Sequence, residues 1–118
     1  MNCGDVMTRD PVCCTLTDLV SRAAMLMKTE NVGSVPVCES RQGGLLIGIV
    51  TDRDLALQVV AEGRDPNSIR LQDLTIGEPL SCHPGDGIEQ ALDAMQRHQV
   101  RRIPVVDDRG HWPFSRHH

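Results

Sequence analysis

The apolar positions of this chain switch between two periods. Leu19, Val20, Ala23, Ala24, Leu26 and Met27 form a helical stripe, with Lys28 and Glu30 on the outer face. Thr17 or Asp18 is the expected cap of that helix, and Asn31-Val32-Gly33 ends it. Short β-branched runs stand on either side. Pro11 opens one through Val12, Cys13 and Cys14; Ser34-Val35-Pro36-Val37-Cys38 is the second, and Leu45 to Val50 the third. Arg41-Gln42-Gly43-Gly44 reads as the hairpin turn between the last two. A further helix is predicted from Asp52 to Glu62, where Leu55, Ala56, Val59 and Val60 keep helical spacing until Gly63. The pattern is β-α-β-β-α.

The pattern then starts again. With Pro36 laid over Pro104, an offset of 68 residues runs without a gap from Asp5 to Arg41. It pairs Asp5 with Asp73, Pro11 with Pro79, Cys14 with Cys82, Asp18 with Asp86, Ala23 with Ala91 and Met27 with Met95. Such a register marks an internal duplication, in which each copy is one supersecondary unit that needs the other to bury its face. Gly4 to Met7 and Leu71 to Leu74 are the matching lead-ins. The second copy predicts strands at 80–82 and 102–106, a helix from Asp86 to His98, and a turn at Asp107-Asp108-Arg109-Gly110. The expected organisation is a first repeat at 1–62, a linker at 63–70 and a second repeat at 71–110. The fold class is α/β (α+β), two repeats around one aliphatic core and a pseudo-two-fold axis.

Past Gly110 the match stops. Gly48, Thr51 and Asp54 should recur at positions 116, 119 and 122, but position 116 is Arg116 and the sequence ends at His118. Residues 111–118 hold Trp112 and Phe114, the only aromatic residues of the Phe, Trp and Tyr type in the chain. The composition break reads as a truncation, a frame change or a remnant of expression. The alternative is a genuine tail that packs Trp112 and Phe114 where the missing strand would lie.

Composition narrows the function classes. At 118 residues the chain holds one domain or two small repeats. Its net charge of −4 argues against nucleic acid as the main partner. No apolar run approaches a membrane span and no signal-peptide pattern opens the chain, so a cytoplasmic protein without a membrane partner is expected. Five cysteines without a C-x-x-C pair indicate neither a disulfide framework nor a zinc ribbon. Cys13, Cys14 and Cys38 fall in strand-like stretches where a thiol acts as a small hydrophobe; a metal set of Cys14, Cys82 and His83 is the competing idea.

The candidate chemistry sits in Ile47-Gly48-Ile49-Val50-Thr51-Asp52-Arg53-Asp54. A strand running straight into a helix leaves unpaired N–H groups that attract anions, phosphates above all. Thr51 offers a hydroxyl there and Asp54 a carboxylate one turn on. The same two residues also read as a capping box, Thr-x-x-Asp closing the helix start.

These residues resemble a pair of cystathionine-β-synthase (CBS) domains. Val32-Gly33-Ser34-Val35-Pro36-Val37 and Val100-Arg101-Arg102-Ile103-Pro104-Val105 resemble the family's second-strand signature, and Gly48-Ile49-Val50-Thr51-Asp52-Arg53-Asp54 its G-h-h-[ST]-x-x-[DN] motif. The resemblance runs nearly to Gly110, and the chain is similar to small bacterial stand-alone CBS pairs, some of them stress-linked. It implies a cleft between repeats for an adenosyl ligand: AMP, ADP, ATP or, less expected, S-adenosylmethionine. Asp54 would then hold the ribose hydroxyls, and Thr51 with the following N–H groups the phosphate. Ile49 and Val50 would belong to the same motif and Leu80 would border the base. Arg101 and Arg102 would reach the phosphates. The second copy lacks the Thr/Asp motif, so the cleft using Val12 and Ser34 loses its anchors and one site per chain is expected.

The resemblance therefore implies a regulatory module and not an enzyme. No catalytic set of Ser/His/Asp or Cys/His converges, and no cofactor is required beyond the nucleotide ligand. The alternatives are a structural dimerisation protein with a vestigial pocket, or a metal- or redox-responsive protein using its cysteines. An incomplete second copy leaves apolar surface uncovered, so a homodimer is expected.

Overall fold

The computed structural model describes residues 12–41, 43–79, 81, 83, 85–97 and 106–112. Two strands, Ser34–Ser40 (β1) and Gly43–Thr51 (β2), form an antiparallel hairpin with Ser34 opposite Thr51 and Ser40 opposite Gly43. β2 begins at Gly43, inside the turn expected at 41–44. Irregularities between Val37 and Ser40 absorb the shift, and Gly44 takes φ 92°, a value that favours glycine.

The strand expected at 12–14 is reduced to one parallel bridge, Cys14 opposite Val37. Cys14 N–H donates to the Pro36 carbonyl at 3.0 Å, and Cys38 N–H to the Cys14 carbonyl at 2.8 Å. The chain then leaves the ladder in a local turn, with Thr15 N–H on the Asp18 carboxylate at 2.9 Å and Asp18 N–H on the Thr15 carbonyl at 3.1 Å. The same carboxylate takes Arg41 Nη2 at 2.7 Å and lies 3.5 Å from Arg22 Nε.

Thr17 and Asp18 therefore do not cap the first helix. That helix, Val20–Glu30 (α1), starts after Leu19, and the linker supplies its acceptors. Val20 N–H donates to the Ile69 carbonyl and Ser21 N–H to the Pro66 carbonyl, each at 3.0 Å. The expected stop holds, with Asn31 left-handed at φ 55°.

Burial alone would raise the Asp18 carboxyl, but the Thr15 N–H, Arg41 and Arg22 outweigh it and hold its pKa below the ordinary aspartate value. A depressed folded pKa contributes stability above the unfolded value, about 3.9, and loses it as pH falls through the folded one. Asp18→Asn should therefore cost about 1–2 kcal/mol at pH 7, and the gap from wild type should narrow near pH 3. Urea unfolding of both proteins at the two pH values measures it; a gap independent of pH would remove the carboxylate from this role.

After β2 the chain enters a single α-turn, Asp52–Leu55 (α2), and widens into a π-helical stretch, Ala56–Val60. The helix expected to reach Glu62 thus changes pitch after one turn: Ala61 N–H reaches back to Ala56 and Arg64 N–H to Val59, each at 2.9 Å. In that stretch Val59 is buried in the core. Gln58 instead clamps the backbone of Thr75, donating to its carbonyl at 2.9 Å and accepting its N–H at 2.8 Å.

The two copies share their core, as a duplication requires. The main cluster joins Cys14, Val20, Ala23, Met27, Val35, Val37, Val50 and Val59 of the first copy to Leu71 and Leu74 of the second. A smaller cluster joins Cys13, Cys38 and Leu46 to Val106. The second copy's helix, Ile88–Arg97 (α3), starts two residues later than expected. Asp86 accepts the His83 N–H at 2.8 Å, repeating the Asp18–Thr15 bond 68 residues on. The expected strands at 80–82 and 102–106 fall largely outside the described residues; Val106 is buried.

The free edge of β2 is covered by the second copy. Ile49 and Gly77 exchange both backbone hydrogen bonds, at 3.1 and 3.0 Å, and Leu46 N–H donates to the Gly110 carbonyl at 3.0 Å. A short strand, His111–Trp112 (β3), then pairs antiparallel with β2, Gly44 opposite Trp112 and Leu45 opposite His111. Trp112 is the counterpart of Gly44 under the 68-residue offset, so this pair lies on the local two-fold relating the copies. The segment set apart by its composition thus begins as a strand where the second copy's third strand belongs. Antiparallel pairing uses backbone groups, so the composition break does not end it.

Candidate functional site

The junction of β2 and α2 lies at the open end of the hairpin. Val50 and Ile49 point to opposite faces, as alternation requires. Val50 is wholly buried in the main core, so it can offer a cleft only its backbone. Ile49 is buried on the other face, against Gly77. Gly48 is needed where it stands: a Cβ there would come within 2.6 Å of the Gly77 carbonyl oxygen.

Thr51 and Asp54 form the reciprocal box. Asp54 N–H donates to Thr51 Oγ1 at 3.0 Å, and Thr51 N–H to Asp54 Oδ2 at 2.9 Å. The neighbouring donors are also taken, which differs from the open N–H groups expected at this junction. Asp52 N–H donates to the Gly33 carbonyl at 2.9 Å, and Arg53 N–H to the Asp52 carboxylate at 2.8 Å. One hydroxyl, two carboxylates and one carbonyl in reach of a single helical turn satisfy these donors. Asp54 Oδ1 keeps no hydrogen bond among the described residues. Ser34 lies directly opposite Thr51, and its buried Oγ is likewise unpartnered there.

Of the residues singled out in the sequence, Ile49, Val50, Thr51 and Asp54 come together here. Leu80, Arg101 and Arg102 lie outside the described residues. Two contributors carried no sequence signal. Gln58 is an unremarkable polar residue until the π-helical stretch turns it onto Thr75, and Gly77 matters only because Ile49 bonds to it. Both hold the segment that leads to Leu80 beside the junction.

A depression lies elsewhere, toward the turn end of the hairpin, where Arg41 follows β1. It is an open groove of about 640 Å³ between the start of α1, Arg41 and the linker residues Asn67 and Arg70. Of its three arginines, Arg41 bonds Asp18, Arg70 Nη1 bonds the Thr17 carbonyl, and Arg22 lies 3.5 Å from the Asp18 carboxylate with its buried Nε lacking a hydrogen bond among the described residues. Among the described residues no His/Cys/Asp/Glu cluster could hold a metal ion. Cys14, one of the three residues considered for such a site, is wholly buried in the main core; His83 is exposed and Cys82 lies outside the described residues. No helix among the described residues is long and apolar enough to cross a membrane.

The sequence model of the CBS domain matches residues 3–61 and again 71–111, the two copies found by the offset. Uncharacterized protein YlbB of Bacillus subtilis is 42% identical over 105 residues, which cover 89% of this chain and 70% of that protein. Hypoxic response protein 1 of Mycobacterium tuberculosis is 30% identical over 104 residues, 88% of this chain and 71% of that one. A solved structure of Hypoxic Response Protein I, with two coordinated zinc ions, superposes with a TM-score of 0.70 at 29% identity, covering 94% of this chain and 88% of that chain. The structure of CBSX2 of Arabidopsis thaliana in complex with AMP superposes with a TM-score of 0.64 at 26% identity, over 93% and 84% of the two chains.

Proposed function

This chain belongs to the CBS-domain family, and from that membership we propose that it is a regulatory module binding an adenosyl ligand between its two copies, without catalysis of its own. The observation that carries the reading is the state of Asp54. One carboxylate oxygen closes the helix box while the other is left without a partner, beside a strand edge where the second copy crosses. A carboxylate so held is oriented in advance to accept from a ribose hydroxyl, and its capping role does not compete with it. The complex of CBSX2 with AMP supports the ligand class.

The satisfied N–H groups shift the phosphate role. A phosphate at the helix start would have to displace the Asp52 carboxylate from Arg53 N–H. Arg101 and Arg102 are therefore the proposed phosphate contacts, Thr51 orients Asp54, and Leu80 with Ile49 borders the base. The ligand is AMP, ADP or ATP before S-adenosylmethionine, and no other cofactor is required. Calorimetry of the full chain with each of the four, and with adenosine, tests the reading. Saturable binding of one adenosyl ligand per chain is expected, and Arg102→Ala should weaken ATP more than adenosine. No binding to any of the five overturns it.

We also propose a homodimer. Met25 on α1, Leu57 and Val60 on the π-helical stretch and Leu92 on α3 are 59%, 50%, 77% and 54% exposed. A second copy covering them accounts for apolar side chains on three helical segments. Sedimentation should give twice the 13.0 kDa chain mass; a monomer across micromolar concentrations would refute it.

A further inference from the structure

Three arginines from three parts of the chain converge on Thr17 and Asp18. Arg22 comes from the first turn of α1, Arg41 from the turn after β1, and Arg70 from the end of the linker. Arg41 and Arg22 flank the Asp18 carboxylate, 2.7 Å from Oδ1 and 3.5 Å from Oδ2, and Arg70 Nη1 donates to the Thr17 carbonyl. All three line the open groove of about 640 Å³ beside the start of α1. Asp18 is the one acid among the described residues on its walls, so three positive charges face a single negative one.

Asp18 cannot balance them. Its side chain is 5% exposed, and its two oxygens already accept from Thr15 N–H and Arg41. Arg22 Nε stays buried with an ion-pair partner but no hydrogen bond among the described residues, and Arg70 meets a neutral carbonyl. The Arg41 side chain is 60% exposed and uses one nitrogen on Asp18. Like charges gathered in this way repel one another, and open guanidinium forks are matched by the paired oxygens of a phosphate. The backbone takes no part: the first N–H groups of α1, on Val20 and Ser21, are held by the linker carbonyls.

We propose that this groove binds a phosphate group, free or carried by a small hydroxylated molecule, on Arg22, Arg41 and Arg70. Ser21 and Asn67 add a hydroxyl and an amide to the same walls for the carrier. A bound phosphate would tie α1 and the hairpin turn to the linker that joins the two copies. The groove shares no lining residue with the junction of β2 and α2, so the inference is independent of adenosyl binding.

Calorimetry of the full chain with inorganic phosphate and with glycerol 3-phosphate, at an ionic strength held constant with sodium chloride, tests it. Saturable binding is expected, weakened about tenfold or more in Arg22→Gln and in Arg70→Gln. It should be unchanged in Arg97→Gln, since that exposed arginine on α3 does not line the groove. Tighter glycerol 3-phosphate assigns the site to an organic phosphate; equal or weaker affinity assigns it to free phosphate. Arg102→Ala, which removes a proposed contact of the adenosyl site, should leave this binding in place. In NMR spectra of the wild type the Nε–H signals of Arg22, Arg41 and Arg70 should shift together on saturation, a result that stands even if a variant fails to fold. Absence of saturable binding, equal losses in Arg97→Gln and Arg70→Gln, loss in Arg102→Ala with Arg70→Gln unaffected, or shifts that spare the three arginines each overturn the proposal.

Discussion

Replacing Asp54 by alanine is expected to weaken adenosyl-ligand binding roughly tenfold to a hundredfold, because the lost hydrogen bonds go to a charged acceptor and are worth about 1.5–3 kcal/mol. The same change removes half of the box, so the protein should also lose about 0.5–2 kcal/mol of stability. Those effects separate the two readings of one residue. A cap alone predicts the second loss without the first, since Thr51 N–H would still be the group left without its acceptor. Asp54→Asn sharpens the distinction. The amide keeps an oxygen for Thr51 N–H but gives up the negative charge, so stability should largely return while affinity stays low. Calorimetry and thermal unfolding on the three proteins decide it. Wild-type affinity in Asp54→Ala would return Thr51 and Asp54 to capping alone.

Gly48→Ala should have the larger effect on the fold. The added Cβ would stand 2.6 Å from the Gly77 carbonyl oxygen and 2.8 Å from Ile76 Cδ1. Ile76 can rotate away. The Gly77 carbonyl cannot, because Gly77 exchanges two backbone bonds with Ile49 and Gln58 clamps Thr75 two residues earlier. The crossing segment must therefore move off β2 or the strand must bend, at about 1–3 kcal/mol. For a domain of this size that lowers Tm by about 5–15 °C. Ligand affinity should fall with it, since the same crossing segment lies against Ile49 beside the junction. Amide exchange adds a local readout: Ile49 and Gly77 should lose protection together. An unchanged Tm would mean that the close approach of the two copies is looser than these distances.

The duplication was legible because both copies bury the same kind of face at the same spacing. That register foretold the shared core, while residue types and alternation foretold the hairpin, the helix stop at Asn31-Val32-Gly33 and the box at Thr51 and Asp54. The last three rest on bonds between near neighbours in the chain or on alternation along a strand. The departures all involve partners distant in sequence. Thr17 and Asp18 look like caps, but the carbonyls of Pro66 and Ile69 satisfy α1 and free Asp18 to bind Arg41. Val12 to Cys14 look like a strand, but the chain turns at Thr15 to Asp18 after a single bridge, and Asp18 is held by Arg41 from beyond β1. The change of pitch after Leu55 has no local signature, and it gives Gln58 a role that its neighbours do not announce. Residues 111–112 look foreign by composition, yet they pair on the local two-fold because strand pairing reads the backbone.

At the candidate site the division is the same. Residue types and spacing alone determine that a hydroxyl and a carboxylate face each other at the start of a helix. Which of their atoms remain available depends on groups brought from elsewhere. Gly33 supplies a carbonyl to Asp52 N–H, and Gly77 seals the edge of β2. Periodicity likewise separates Cys13 from Cys14, but only the fold gathers Cys13 into the small cluster with Cys38, Leu46 and Val106. A sequence specifies which groups a local turn can satisfy; tertiary packing decides which of them still need a partner.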